Sequence, residues 1–173
     1  MSPKQWRNAG TYTMNDAAVS AKIRLAHADD DEFILALTER FVAFDLPAWR
    51  KRSEMLVGIR NDIARHLNEL PAGSHLFVAE DAQGERLGFL HLQTHKDFFT
   101  GALNCHISDL VVAPGHDGQG LGSAMIEYAQ DWAKQHRCRH VTLAVFPGNE
   151  RARTLYEKHG FGVELLRMVK PVR

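Results

Sequence analysis

Cysteine is nearly missing from this chain. Cys105 and Cys138 are its two, too few for a disulfide framework and without the paired spacing of a metal site. A reducing compartment is implied, and the cytoplasm is the expected location. Long apolar runs are missing as well: none approaches the roughly 18 residues a membrane helix needs, and the stretch from Met1 to Ser20 holds no continuous apolar signal core. Neither sign of charge dominates, with 21 Lys plus Arg against 21 Asp plus Glu, so nothing calls for nucleic acid or an anionic membrane as partner. Internal repeats and low-complexity segments are not seen. What remains is an ordinary globular composition in 173 residues, enough for one core and not comfortably for two. Residues 1–20 are polar and small, broken by Pro3, Asn8, Gly10 and Asn15. They are expected to form a loose N-terminal segment ahead of a single domain over 21–173.

Within that domain, Ala21 to Ala26 alternates like a short strand. Asp29, Asp30 and Asp31 then supply cap and first-turn acids for a helix to about Phe44. Ala48 to Leu70 reads as a second helix with Met55, Ile59, Ile63 and Leu67 on one face, ended by Pro71 and Gly73. His75 to Glu80 and Arg86 to Gln93 read as a hairpin, and Asn104 to Val112 as a further strand stopped by Pro114 and Gly115. A helix from Gly118 to His136, a strand from Val141 to Phe146, a helix from Asn149 to His159 and a closing strand from Phe161 to Val169 complete the chain. Strands alternate with helices only in the second half. The expected fold is therefore α/β with a mixed, mostly antiparallel central sheet and helices on both faces.

The most informative stretch runs from Val111 to Ser123, where Gly118, Gly120 and Gly122 alternate between a strand and a helix. Glycines there let backbone approach a ligand, and the unpaired N–H groups of a helix start bind an anion such as a pyrophosphate. The same glycines could equally serve a sharp strand-to-helix turn. A dinucleotide fingerprint is disfavoured, because Ser123 stands where its third glycine belongs and no carboxylate ends the next strand. The Lys-Ser/Thr ending of a nucleotide-triphosphate loop is missing too. Further on, Leu143 to Phe161 carries Asn149 at the start of a helix and Tyr156 two turns along on the same face.

Together these two segments, at their separation, resemble the GNAT superfamily of acyl-coenzyme-A-dependent N-acetyltransferases. The likeness covers roughly Ala21 to Lys170. Gly120 and Gly122 match the end of that family's phosphate motif, whereas Asp117 replaces the usual Arg or Gln, so the cradle would rely on main-chain N–H groups of Asp117, Gly118, Gln119, Gly120, Leu121, Gly122 and Ser123. The resemblance implies acetyl-coenzyme A as co-substrate, its pantetheine arm lying between splayed strands against the main chain of Leu110, Val111 and Val112 and beside Asn149. It implies that Tyr156 protonates the departing thiolate; otherwise Tyr156 is a core aromatic beside Leu155 and Phe161. A proton acceptor for the amine is also needed, since only the free base attacks a thioester. His106 is the first candidate, because family members carry a base at its position and imidazole titrates in the right range. Asp109 is the alternative.

Strict alternation sets His106, Ser108, Leu110 and Val112 on one face of that strand, and Cys105, Ile107, Asp109 and Val111 on the other. His91 and His95 look like metal ligands on paper, but ten histidines in one chain make such pairs common, and no metal is expected. The acceptor would meet the stretch Phe44 to Trp49 and the stretch His95 to Thr100, whose aromatics and acids suit an amine with an apolar body. The function implied is N-acetyl transfer from acetyl-coenzyme A to a primary amine by direct attack in a ternary complex, with a homodimer expected from family habit. A non-catalytic acyl-coenzyme-A sensor of the same fold is the alternative, and Asp117 is the residue that favours it.

Overall fold

The computed structural model describes residues 11–12 and 21–172. The expected loose segment 1–20 thus falls outside the described residues except for β1, Thr11–Tyr12, which pairs antiparallel with β2, Ala21–Leu25. After β2 come α1 (Asp31–Ala36), α2 (Arg52–Glu69), β3 (Ser74–Glu80), β4 (Arg86–Lys96), β5 (Leu103–Val112), α3 (Leu121–Gln135), β6 (Val141–Leu143) and α4 (Glu150–Lys158). The strands lie in sequence order in one six-stranded sheet, antiparallel throughout except for the parallel β5–β6 pair. That is the expected mixed sheet.

Its two faces are covered by different helices. On one, Leu121, Met125, Ala129 and Trp132 of α3 bury Phe77, Leu90, Leu92 and Ile107. On the other, Ile34 of α1 and Ile63 of α2 bury Leu76, Val78, Phe89 and Val111. Apolar residues on alternate strand positions thus feed both cores, the two-layer burial that a strand buried on both faces requires. Among the described residues, no helix is long and apolar enough to cross a membrane.

Five expectations shift, one of them the strand expected from Val141 to Phe146, which ends at Leu143 as the chain leaves the sheet. The first helix is three pieces, with 3-10 turns at Ala28–Asp30 and Leu37–Val42 flanking α1. The Thr38 hydroxyl donates to the Leu35 carbonyl at 2.7 Å, a local bond that competes with the helical ladder. The second helix starts at Arg52, because Pro47 to Arg50 closes a turn first, with the Arg50 N–H donating to the Pro47 carbonyl at 2.8 Å. β4 runs three residues beyond its expected end to Lys96, which shortens the loop before β5.

The closing strand is the largest correction. Residues 161–172 form no strand, and Val163, Leu165, Leu166 and Met168 are exposed. β6, where such a strand would pair, is only three residues long and gives too short a ladder to hold it.

Candidate active site

β5 and β6 are bonded only from Cys105↔Val141 to Ile107↔Leu143. Beyond Ile107, β5 continues to Val112 while residues 144–149 leave the sheet, so the two strands part. A cleft of about 1030 Å³ opens at the parting. Its walls are Ser108 to Val112 of β5, Ala144 to Phe146 after β6, the turn before α3, the first two turns of α4, and Arg40 to Asp45 apart from Val42. Leu110, Val111, Val112, Asp117, Gly118, Gly120, Leu121, Gly122, Ser123, Asn149 and Tyr156 all line it. Gln119 does not; its side chain turns away to donate to the Gly115 carbonyl at 3.1 Å.

One end of the cleft lies at the start of α3. Gly120 caps α3 at φ 84°, a left-handed conformation that a side chain would strain. The N–H groups of the first turn of α3 have no partner within the helix, and its residues Leu121, Gly122 and Ser123 line this end. At Gly122 a Cβ would stand 2.9 Å from Leu155 Cδ2, so the missing side chain lets α3 and α4 approach. Asn149 caps α4, its side-chain oxygen accepting from the Ala152 N–H at 3.3 Å.

Asp117, the departure from the family motif, is not a bare acid. Arg40 Nη2 donates to both of its oxygens at 2.8 Å, and Arg151 Nη2 to Oδ1 at 2.8 Å. Burial alone would raise this carboxyl, but the hydrogen bonds from Arg151 and Arg40 outweigh it and hold it below its usual range. One carboxylate thus gathers two guanidinium groups, and this end of the cleft is left net positive. Sequence reasoning missed both arginines, since they come from the turn after α1 and from α4.

The other end holds Asp109 and Tyr156. The β4–β5 register runs His91↔Asp109 and then Leu92↔Ile107, so Ser108 is an extra residue, a β-bulge. The bulge reverses the alternation predicted for β5. Cys105, Ile107, Leu110 and Val112 all pack on the α3 side, whereas Val111 packs on the α1–α2 side. His106 and Asp109, assigned to opposite faces by strict alternation, therefore share the α1–α2 face.

Only one of the two lines the cleft. Asp109 does, its side chain 14% exposed. His106 lies one step further along, outside the lining residues, its Nδ1 2.9 Å from Thr142 Oγ1 and its ring against His95. Burial first, and then the neighbouring His95, pushes the His106 imidazole below its ordinary value. Tyr156 is raised, first by burial and then by the Asp109 charge, so the phenol keeps its proton at neutral pH and the two groups are electrostatic neighbours.

Of the residues expected to meet an acceptor, Phe44 and Asp45 line the cleft, with the Phe44 and Phe146 rings 5.6 Å apart. Trp49, Phe98 and Phe99 are exposed and do not line it. His91 is buried and bonded to Asp109 through Nδ1 at 2.7 Å, a partnership the sequence does not announce. Among the described residues no group of three or more His, Cys, Asp or Glu is placed to hold a metal ion.

Comparison with known proteins agrees with this architecture. The sequence model of the Acetyltransferase (GNAT) family matches residues 31–161. Streptothricin acetyltransferase of Streptomyces lavendulae is 33% identical over 90 residues, 52% of this chain and 46% of that protein. Aminoglycoside N(6')-acetyltransferase type 1 of Stenotrophomonas maltophilia is 28% identical over 105 residues, 56% of this chain and 67% of that protein. The first of these relatives is thus spanned over less than half its length. The solved structure of a Pyrococcus furiosus protein described as an acetyl transferase shares the fold, with a TM-score of 0.70 at 23% identity over 88% of this chain and 99% of that one.

Proposed function

The chain belongs to the GNAT acetyltransferase family, and on that premise we propose that it moves an acetyl group from acetyl-coenzyme A to a primary amine in a ternary complex. The observation that carries this reading is the parting of β5 from β6, with an anion cradle at one end and Asp109 and Tyr156 at the other. The pantetheine arm fits the gap as an extended chain against the free edge of β5, where its amides meet main-chain partners. The phosphates rest on the start of α3 with Arg40 and Arg151 beside them.

At the reacting end, Asp109 takes one proton from the acceptor ammonium. The freed lone pair forms the C–N bond to the thioester carbonyl, whose developing oxyanion a β5 backbone N–H stabilises. The C–S bond then breaks, and sulfur takes the Tyr156 proton as it leaves. The nitrogen's second proton returns to the phenolate, and Asp109 releases its proton to water, so each turnover yields one amide, one thiol and one proton. Asp109 serves better than His106 because it lines the cleft beside Tyr156; His106 is the reserve candidate.

Phe44, Phe146 and Asp45 suit an acceptor with an apolar or sugar-like body and a cationic amine. Streptothricin-like and aminoglycoside amines belong first in a screen. Thiol release from acetyl-coenzyme A across such a panel tests the reading, comparing the native chain with Asp109→Asn, His106→Ala and Tyr156→Phe. Amine-dependent release that drops about 100-fold or more in Asp109→Asn, and less in His106→Ala, is expected for a general base. Tight coenzyme binding with no amine-dependent release would favour the acyl-coenzyme-A sensor.

A further inference from the structure

Behind Asp109 a chain of hydrogen bonds runs through the sheet to α2, and its polarity can be read from one end. Arg65 Nη2 lies 3.1 Å from His66 Nε2. Arginine has only donors, so Nε2 of His66 must accept and the proton of that neutral ring must sit on Nδ1. His66 Nδ1 is 2.8 Å from Ser74 Oγ, which therefore receives a proton there and has its own single proton left to give. Ser74 Oγ is 2.9 Å from His91 Nε2 and donates to it. His91 Nε2 is thus bare, its proton is on Nδ1, and Nδ1–H donates to Asp109 Oδ2 at 2.7 Å. Every link is satisfied in this one direction.

The surroundings keep the chain in place. His91 is fully buried and His66 is 5% exposed, with their rings 4.6 Å apart at 64°. His91 lies directly opposite Asp109 in the β4–β5 register, at the last pair before the bulge at Ser108. Around them stand His106 and Asp109 on β5, His75 on β3, and Asp62 on α2, whose carboxylate is 3.9 Å from His66 Nε2. The other Asp109 oxygen, Oδ1, accepts no hydrogen bond among the described residues, and Asp109 lines the cleft.

We propose that His91, pinned through Ser74 and His66, is a positioning residue that holds Oδ2 of Asp109 and leaves Oδ1 as the oxygen that takes the acceptor's proton. This rests on the acetyl-transfer reading above. A carboxylate on a short side chain has two torsions to settle, and a buried donor locked in one tautomer removes that freedom on the side away from the substrate. The function of the remote Ser74–His66 pair is to fix the tautomer, since a lone buried imidazole could present either nitrogen.

Two measurements test this. Nitrogen-15 correlation spectra of the imidazoles in the native chain should show His91 and His66 as neutral rings protonated on Nδ1; a His91 protonated on Nε2 overturns the proposal whatever the activity. In steady-state kinetics, His91→Leu should lower kcat about 10- to 100-fold, short of the ~100- to 10,000-fold a whole general base supplies, with KM for acetyl-coenzyme A unchanged. His91→Asn, whose amide can still donate to Asp109, should recover most of that loss, and Ser74→Ala should lower kcat without disturbing KM while its His91 signal shows a mixture of tautomers. Equal kcat in His91→Leu and the native chain, or a loss that appears in KM alone, refutes the role. Native protein without amine-dependent turnover would instead sink the acetyl-transfer reading, and this inference with it.

Discussion

Arg40→Gln removes one of the two cations that Asp117 gathers at the anion end of the cleft, and its effect can be sized from the charges. In the native chain one carboxylate faces two guanidinium groups, leaving one positive charge where a pyrophosphate would lie. With one arginine gone the cluster is neutral. A unit charge about 7 Å from a diphosphate's two charges is worth ~1 kcal/mol at the dielectric of water and ~5 kcal/mol at an effective value of 20. Arg40 and Asp117 are about a third exposed, at 31% and 33%, which places the effect near the lower figure. The dissociation constant for coenzyme A should therefore rise about 5- to 10-fold in calorimetric titration at low salt, and the native salt dependence should flatten. Arg151→Gln, at a more exposed residue, should do the same more weakly. Unchanged affinity in both variants at low salt would refute the reasoning, and would mean that the helix start carries the phosphates alone.

The remaining predictions concern stability. Asp30 is fully buried beneath Arg24 and Arg86. Burial alone would raise its carboxyl, but hydrogen bonds from Arg24, the His27 N–H and Arg86 outweigh it and hold the group far below the usual range. A depressed carboxyl stabilises the fold fully above its unfolded pKa of about 3.9 and loses that contribution as pH falls through and below it, so unfolding free energy should drop from about pH 5 downward. In Asp30→Asn that pH slope should shrink and stability near pH 7 should fall by about 3 kcal/mol; an unaltered acid slope would contradict the assignment. Phe89, fully buried between α1, α2 and the sheet, should cost about 3–5 kcal/mol as Phe89→Ala, read from the urea midpoint, and a loss under 1 kcal/mol would mean that this core collapses around the gap.

The parts of this molecule that local patterns govern were legible in the sequence. Asn149 marked the start of α4, Pro114 the end of β5, and the glycines from Gly118 to Gly122 the turn into α3. What the sequence hid depends on single-residue register or on distant partners. Ser108 bulges, and one extra residue is enough to swing Asp109 onto the face of His106, which no count of alternate positions reveals. Arg40 reaches Asp117 from 77 positions away, turning a residue that looked electrostatically wrong into the anchor of a cationic pair. His91 read as a chance histidine until the hairpin set it opposite Asp109. The closing strand failed for the opposite reason: Val163, Leu165, Leu166 and Met168 make a strand-like pattern, but the pattern states only that these side chains favour burial, and β6 ends too soon to supply it.

The central claim is direct transfer between two substrates held together in the cleft where β5 leaves β6. Initial velocities of acetylated-amine formation, followed by mass spectrometry while both acetyl-coenzyme A and the best amine of the panel are varied, test it most directly. Intersecting double-reciprocal lines, with Tyr156→Phe lowering kcat about 10-fold or more, are the result expected of a ternary complex with a phenol as acid. Parallel lines, or a Tyr156→Phe variant as fast as the native chain, would contradict it.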